Sequence, residues 1–336
     1  MTQRALITGA AGFVGQKLRR HLEAQGWEVV GSGDQGQAGV IPCDISVRMQ
    51  IDALLDQAGE VSHIFHLAAI TFVPQASANP AEVMCVNLNG TIHLVQALAE
   101  RQWPGRLLYI GSADSYGPPK YLPVDEEHPL SPANPYAVSK AAADHFCAYA
   151  AKAHGLDILR MRPFNHSGPG QPDQFVLSSF ARQVAEIEAG HREPVLHVGN
   201  LSAARDFLHV DDVLRAYEIA ARLGMPGQAY NICSGAAREV KLALDMLLEM
   251  STASIEVRPD PARMRPVDVP SVYGTHQRLT EDTGWAPETG FDQILRDLLG
   301  LARADGPEGS VLAEKDVVTF PPPEPTMETM PVLSTA

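Results

Sequence analysis

Short apolar runs punctuate the first half of the chain at Ala5 to Thr8, Glu28 to Val30, Ile64 to Leu67, Leu107 to Ile110 and Ile158 to Met161. Between them, apolar positions recur at helical spacing over Val14 to Ala24, Ile51 to Gln57, Glu82 to Glu100 and Ala137 to Ala153. Runs with little polar alternation suit strands buried on both faces, and a helix between each pair carries the chain back across the sheet. The pattern therefore predicts a doubly wound α/β domain with a parallel sheet. After Arg162 the texture changes to a Gly- and Pro-rich loop, Phe164 to Pro172, followed by shorter elements that include helices over Phe175 to Glu188 and Val210 to Leu223. We read residues 1–163 as the parallel-sheet domain, with 206–224 packing back on it, and 164–304 as a smaller mixed α/β domain that completes a cleft. From 305 to 336 the chain is rich in Pro and Glu and has no sustained apolar period, so a poorly ordered tail is expected.

With 336 residues, 45% of them hydrophobic, there is ample material for a buried core. Forty acidic residues against 26 basic ones give a formal charge of −14, which removes the electrostatic footprint of a nucleic-acid binder. Cys43, Cys85, Cys147 and Cys233 lie far apart without metal-ligand spacing, as expected of reduced core thiols and no metal site. The opening residues lack the profile of a signal peptide, and the uncharged stretch from Val61 to Ala81 holds His63, His66, Pro74, Gln75 and Asn79, too polar for a membrane span. A soluble, cytoplasmic protein is the expectation.

The first strand leads into Gly9-Ala10-Ala11-Gly12-Phe13-Val14-Gly15 and a helix. Glycines there permit a tight turn, close approach of backbone to a pyrophosphate and close helix-to-strand packing, while the helix N-terminus supplies partial positive charge. The spacing is Gly-x-x-Gly-x-x-Gly, and its place between the first strand and first helix gives it weight as a dinucleotide site. At the end of the second strand, Asp34 is a candidate to hold an adenosine ribose diol; no basic residue stands near it in sequence, which tilts the choice between NAD and NADP slightly toward NAD. Asp34 also reads as a solvated loop carboxylate. Asp44 and Ile45 are candidate adenine contacts, Asp44 alternatively a cap for the following helix.

Pro135-Tyr136-Ala137-Val138-Ser139-Lys140 opens a helix, and residues four apart share a helical face. Tyr136 and Lys140 can therefore serve one site, with the ammonium expected to bring the phenol's pKa down and to bond a nicotinamide ribose. Such a pair also occurs on solvated helices. Upstream, Gly111-Ser112-Ala113-Asp114 follows a strand, placing the Ser112 hydroxyl at the strand's carboxyl end, where parallel sheets bind ligands and where serines also act as ordinary turn residues.

Gly9/Gly12/Gly15, His66-Leu67-Ala68-Ala69, Asn87, Ser112 and Tyr136/Lys140, in this order, resemble the extended short-chain dehydrogenase/reductase family. Within it, Arg162-Pro163-Phe164-Asn165-His166-Ser167-Gly168-Pro169-Gly170-Gln171, Val198-Gly199-Asn200-Leu201, Ala204-Arg205-Asp206-Phe207 and Arg265-Pro266-Val267-Asp268-Val269 are similar to the branch of GDP-mannose 4,6-dehydratases and GDP-4-keto-6-deoxymannose reductases. The resemblance implies a Rossmann sheet with NAD or NADP bordered by the glycine turn (Gly9, Gly12, Phe13, Val14, Gly15), Asp44, Leu67, Ala68, Ala69 and Asn87. It implies Ser112, Tyr136 and Lys140 as the catalytic set. It also implies Asn165, Val198, Arg205, Arg265 and Asp268 around a GDP-linked sugar. Arg205 suits diphosphate oxygens, its alternative being a surface pair with Asp206 or Asp211. Family members commonly dimerise through two helices, one of which corresponds to Ala137 to Ala153.

Dehydratases of this branch carry Thr, then an acidic residue or Ser, then Glu where this chain has Ser112-Ala113-Asp114. Asp114, one carbon shorter than that Glu, leaves elimination possible but second in rank. The expected reaction is reduction of C4 in a GDP-4-keto-6-deoxy sugar to GDP-D-rhamnose. A dehydratase, a nucleotide-sugar 4-epimerase with tightly held NAD and a non-catalytic cofactor-binding regulator are the rivals.

Overall fold

A computed structural model describes residues 3–34, 39–261 and 269–305; the expected tail beyond Asp305 lies outside them. The strands β1 (Arg4–Thr8), β2 (Glu28–Gly33), β3 (Val40–Pro42), β4 (His63–His66), β5 (Arg106–Ile110) and β6 (Asp157–Pro163) are followed by β7 (Asn165–Ser167), β8 (Val195–Val198), β9 (Ala204–His209) and β10 (Ala229–Ile232). β10 returns to the first six and completes a seven-stranded sheet in the order β10-β6-β5-β4-β1-β2-β3. Every pairing in this sheet is parallel.

Side chains alternate across the sheet, and both faces are dry. Ile7, Phe65, Leu108 and Leu159 form a row across four neighbouring strands on one face. That row belongs to a core closed by Val213, Leu214, Tyr217 and Ala220 of the helix Val210–Leu223. Leu6, Ile64, Leu107, Tyr109 and Ile158 point the other way, under Leu94, Leu98, Ala143 and Cys147. Each fully buried Leu or Phe in these layers contributes roughly 2 kcal/mol through removal of apolar surface from water.

The remaining strands, with β11 (Ala237–Glu239), β12 (Glu256–Pro259) and β13 (Ser271–Val272), build small sheets in which β9 pairs with β7, β11 and β13, while β8 pairs with β12. The helices Val176–Glu188, Val240–Glu249 and Phe291–Asp305 share a second apolar core with them.

The structure differs from the sequence pattern in several places. β3 spans three residues, too short to show a period. The helix expected over Glu82 to Glu100 divides into Pro80–Val83, a π-helical turn Met84–Asn89 and Gly90–Glu100. Cys85 on that turn is exposed, whereas Cys43, Cys147 and Cys233 are buried as expected. Among the described residues no helix is long and apolar enough to cross a membrane, and no cluster of His, Cys, Asp or Glu is arranged to hold a metal. The sheet's strand order reverses between β1 and β4, so the connections leaving their carboxyl ends diverge and open a crevice.

Candidate active site

The glycine turn begins at that crevice. Gly9 takes φ +72°, and the Gly12 amide donates to its carbonyl at 3.1 Å. A Cβ on Gly15 would stand 2.2 Å from the Gly9 oxygen, and one on Gly9 would stand 2.8 Å from the Ala68 nitrogen. Only glycine lets turn, first helix and the Leu67-Ala68-Ala69 segment close up this tightly. Gly12 is exposed at the mouth and caps the helix Phe13–Ala24, whose first turn carries Phe13 and Val14. Exposed N–H groups at a helix start suit a pyrophosphate, so the cradle fits a dinucleotide.

Beneath it His66 is fully buried, with Nδ1 2.8 Å from the Thr8 hydroxyl and Nε2 3.1 Å from that of Thr91. Burial, aided by the Lys140 charge, holds its pKa down to about 3, so it joins the strand ends as a neutral ring. The Ala68 amide donates to the same Thr8 oxygen at 3.3 Å.

Asp34 lies exposed just past β2. Gly33 is buried at the strand end, and its Cβ position faces the Ala11 methyl of the glycine turn at 3.5 Å. Asp44 accepts from the Ser46 amide (2.9 Å) and hydroxyl (2.7 Å), a local turn, while Ile45 is buried against Gly90.

Asn134 caps the helix Pro135–His154 by accepting from the Ala137 amide at 2.9 Å, with Pro135 in the first turn. Tyr136 and Lys140 project from this helix and are both buried. Ser112 stands close enough to act on the Tyr136 phenol, and its hydroxyl accepts from the Asp114 amide at 3.2 Å. Lys140 Nζ donates to the Ile110 carbonyl at 2.7 Å, and the Tyr109 hydroxyl donates to the Lys140 carbonyl at 3.1 Å. Ser112, Tyr136 and Lys140 therefore meet at the carboxyl end of β5.

Burial pushes the Tyr136 phenol well above its usual value and the Asp114 charge adds to this, while the nearby Ser112 hydroxyl opposes them. This is the reverse of the direction expected from the sequence, because desolvation outweighs the favourable contacts of the phenolate. The same burial brings Lys140 down to about 8.

Asn87 sits on the π turn and holds both sides of the site. Its Oδ1 accepts from the Ile70 amide at 2.8 Å, and its Nδ2 donates to the Ile70 carbonyl at 3.0 Å and the Ser139 hydroxyl at 2.9 Å. Ser139 in turn donates to the Tyr136 carbonyl at 2.7 Å. Ser139 was not singled out from sequence, although it stands three residues after Tyr136 on the same helix.

Asp114, on the 3-10 turn Ala113–Tyr116 after β5, and Asn165, the first residue of β7, are exposed. Arg205 on β9 donates to the Val269 carbonyl at 2.7 Å and to its neighbour Ala204 at 2.8 Å. Val198 is not brought to the trio; its side chain packs in the second core with Leu196 and Phe207. Arg265 and Asp268 lie outside the described residues.

A family model described as GDP-mannose 4,6 dehydratase matches residues 6–298. The chain belongs to the GDP-mannose 4,6-dehydratase family. Among this family's relatives, a GDP-6-deoxy-D-mannose reductase from Pseudomonas aeruginosa is 40% identical over 304 residues, covering 89% of this chain and 97% of that protein. A UDP-glucose 4-epimerase from Streptomyces lividans is 29% identical over 318 residues, covering 88% and 95%. The solved structure of RMD from Pseudomonas aeruginosa complexed with NADPH superposes with a TM-score of 0.82 at 37% identity, covering 90% of this chain and all of that one. A Thermus thermophilus UDP-glucose 4-epimerase complexed with NAD gives 0.79 at 26% identity, covering 90% and 99%.

Proposed function

We propose that this member of the family reduces the C4 keto group of GDP-4-keto-6-deoxy-D-mannose to give GDP-D-rhamnose, using NAD(P)H. The observation that carries the reading is the buried Tyr136 phenol close to Ser112 and one helical turn from buried Lys140, at the strand ends next to the glycine turn. The 40% identity to a GDP-6-deoxy-D-mannose reductase supports the choice of substrate.

NAD(P)H, when bound, supplies the hydride. Gly9, Gly12 and Gly15 with the first helical turn hold its pyrophosphate, and Lys140 takes the nicotinamide ribose. Tyr136 gives its proton to the C4 oxygen as charge develops there, and its raised pKa keeps that proton in place until then. Ser112 donates to the same oxygen, which aligns the ketone against the phenol. Arg205 and Asn165 take the diphosphate and sugar on the resemblance to the family. Arg265 and Asp268 take the nucleotide ribose and phosphate on the same ground.

The experiment incubates GDP-4-keto-6-deoxymannose with NADH or NADPH, follows absorbance and assigns the product by NMR. Stoichiometric oxidation with GDP-D-rhamnose supports the reading; loss of the keto sugar without oxidation refutes it. A second reading, elimination of water from GDP-mannose, is favoured by the exposed Asp114 carboxylate, whose charge acts on Tyr136. Formation of the 4-keto-6-deoxy sugar without net use of reduced cofactor would establish it.

The same reading makes the enzyme a cytoplasmic homodimer joined through the helix Pro135–His154. Val138 and Tyr149, eleven residues apart and so on one face, are both exposed there, Tyr149 by 60%. A monomeric mass by sedimentation contradicts this.

A further inference from the structure

The helix that carries Tyr136 and Lys140 repeats their face once more at Asp144, a carboxylate that is 1% exposed. Asp144 is bonded bidentately by Arg162 from β6, Nε to Oδ2 and Nη2 to Oδ1 at 2.9 Å each, and Arg160 Nη1 adds a third bond at 2.9 Å. The opposite edge of the Arg162 guanidinium continues onward. Its Nη1 donates to the Tyr116 hydroxyl at 2.9 Å and to the Glu126 carbonyl at 3.2 Å, and its Cζ lies 5.2 Å from the centre of the Tyr116 ring. Tyr116 passes the chain on by donating to Asn231 Oδ1 on β10 at 2.7 Å.

Tyr116 closes the 3-10 turn Ala113–Tyr116 that starts from Ser112. One buried guanidinium thus spans the two elements that present Ser112 and Tyr136. The approach is close on the helix side as well: a Cβ on Gly111, the residue before Ser112, would stand 3.8 Å from Asp144 Oδ2. Buried ion pairs add little net stability because desolvation offsets their attraction, but a planar fork with hydrogen bonds on two edges fixes orientation.

We propose that Arg162, held by Asp144 on one edge and bonded to Tyr116 on the other, is a positioning residue that sets the Ser112 hydroxyl against the Tyr136 phenol. The proposal rests on the reductase reading above. It acts through Ser112, which gives it a signature that a stability role lacks. Disturbing the brace lowers kcat while KM for the keto sugar and cofactor affinity hold, and the effect vanishes once Ser112 has no hydroxyl to place.

Substitution of Asp144 or Arg162 strands a buried charge and risks misfolding, so the test uses Tyr116→Phe, which keeps the ring and removes one oxygen. Tyr230→Phe is the control: Tyr230 is equally buried on β10, but its hydroxyl serves Asp282 and the Met225 amide. Both variants are measured in the native and Ser112→Ala backgrounds, with cofactor affinity of the free protein taken by fluorescence titration. Tyr116→Phe is expected to lower kcat about tenfold with KM and cofactor Kd within about twofold, as for a modest misplacement of reacting groups. In the Ser112→Ala background it is expected to change kcat less than about twofold. Tyr230→Phe is expected to leave kcat unchanged in the native background. An equal loss in both backgrounds, or an equal loss from Tyr230→Phe, overturns the brace. Absence of turnover in the unsubstituted enzyme instead overturns the reductase reading.

Discussion

Replacing Lys140 with methionine removes a buried ammonium from the site and should make the free protein more stable near neutral pH while ending its activity. Burial takes this lysine from an ordinary 10.5 down to about 8. At ~1.4 kcal/mol per pH unit, that gap corresponds to about 3 kcal/mol of destabilisation below pH 8. The bond to the Ile110 carbonyl works against this, and the part of it that a neutral amine also makes contributes about 1 kcal/mol. The variant is therefore expected to be about 2 kcal/mol more stable than the parent at pH 7. The sign with pH follows from linkage: between pH 8 and 10.5 the unfolded lysine still holds its proton while the folded one has lost it, so the parent gains stability as pH rises. Most of the 3 kcal/mol is recovered by pH 10, where the parent should overtake the variant. Urea unfolding of both proteins at pH 7, 8.5 and 10 measures the difference, which cancels the other titrating groups they share. A difference that stays constant across this range, or a variant that is the less stable by several kcal/mol at pH 7, would refute the reasoning.

Two further substitutions probe the cofactor end. Gly15→Ala puts a methyl 2.2 Å from the Gly9 oxygen and is expected to cost about 3 kcal/mol of stability and to abolish dinucleotide binding, read by thermal unfolding and fluorescence titration; retained affinity counts against the cradle. Gly33→Asp directs a carboxylate from the end of β2 toward the glycine turn, where an acid bonds a ribose diol and repels a 2′-phosphate, and is expected to move the NADPH-to-NADH Kd ratio about tenfold toward NADH; an unchanged ratio means the ribose lies elsewhere.

The parallel sheet could be read from the chain because strands buried on both faces leave continuous apolar runs, as in Ile64 to Leu67 and Leu107 to Ile110. Tyr136 and Lys140 were legible for a similar reason, since four residues is one helical turn. What escaped has equally local causes. β3 is three residues long, and the π turn at Met84–Asn89 keeps the apolar content of an ordinary helix while turning Cys85 to solvent. One residue of uncertainty at the end of β2 separates exposed Asp34 from buried Gly33, and no periodic signal fixes it. Lys140 bonds a backbone carbonyl, a partner that carries no side-chain identity. The upward push on the Tyr136 phenol depends on burial by Ile70, Val73, Ala76 and Val83, which come together only in the fold.

Tyr136→Phe tests the central claim most directly. The substitution removes only the proton donor from a buried site, so the account predicts that NADPH oxidation by GDP-4-keto-6-deoxymannose falls by about 10²-fold to 10⁴-fold, with the Kd values of cofactor and nucleotide sugar within a factor of about two. Turnover within about tenfold of the parent would contradict it, because the proton would then reach the C4 oxygen from another group.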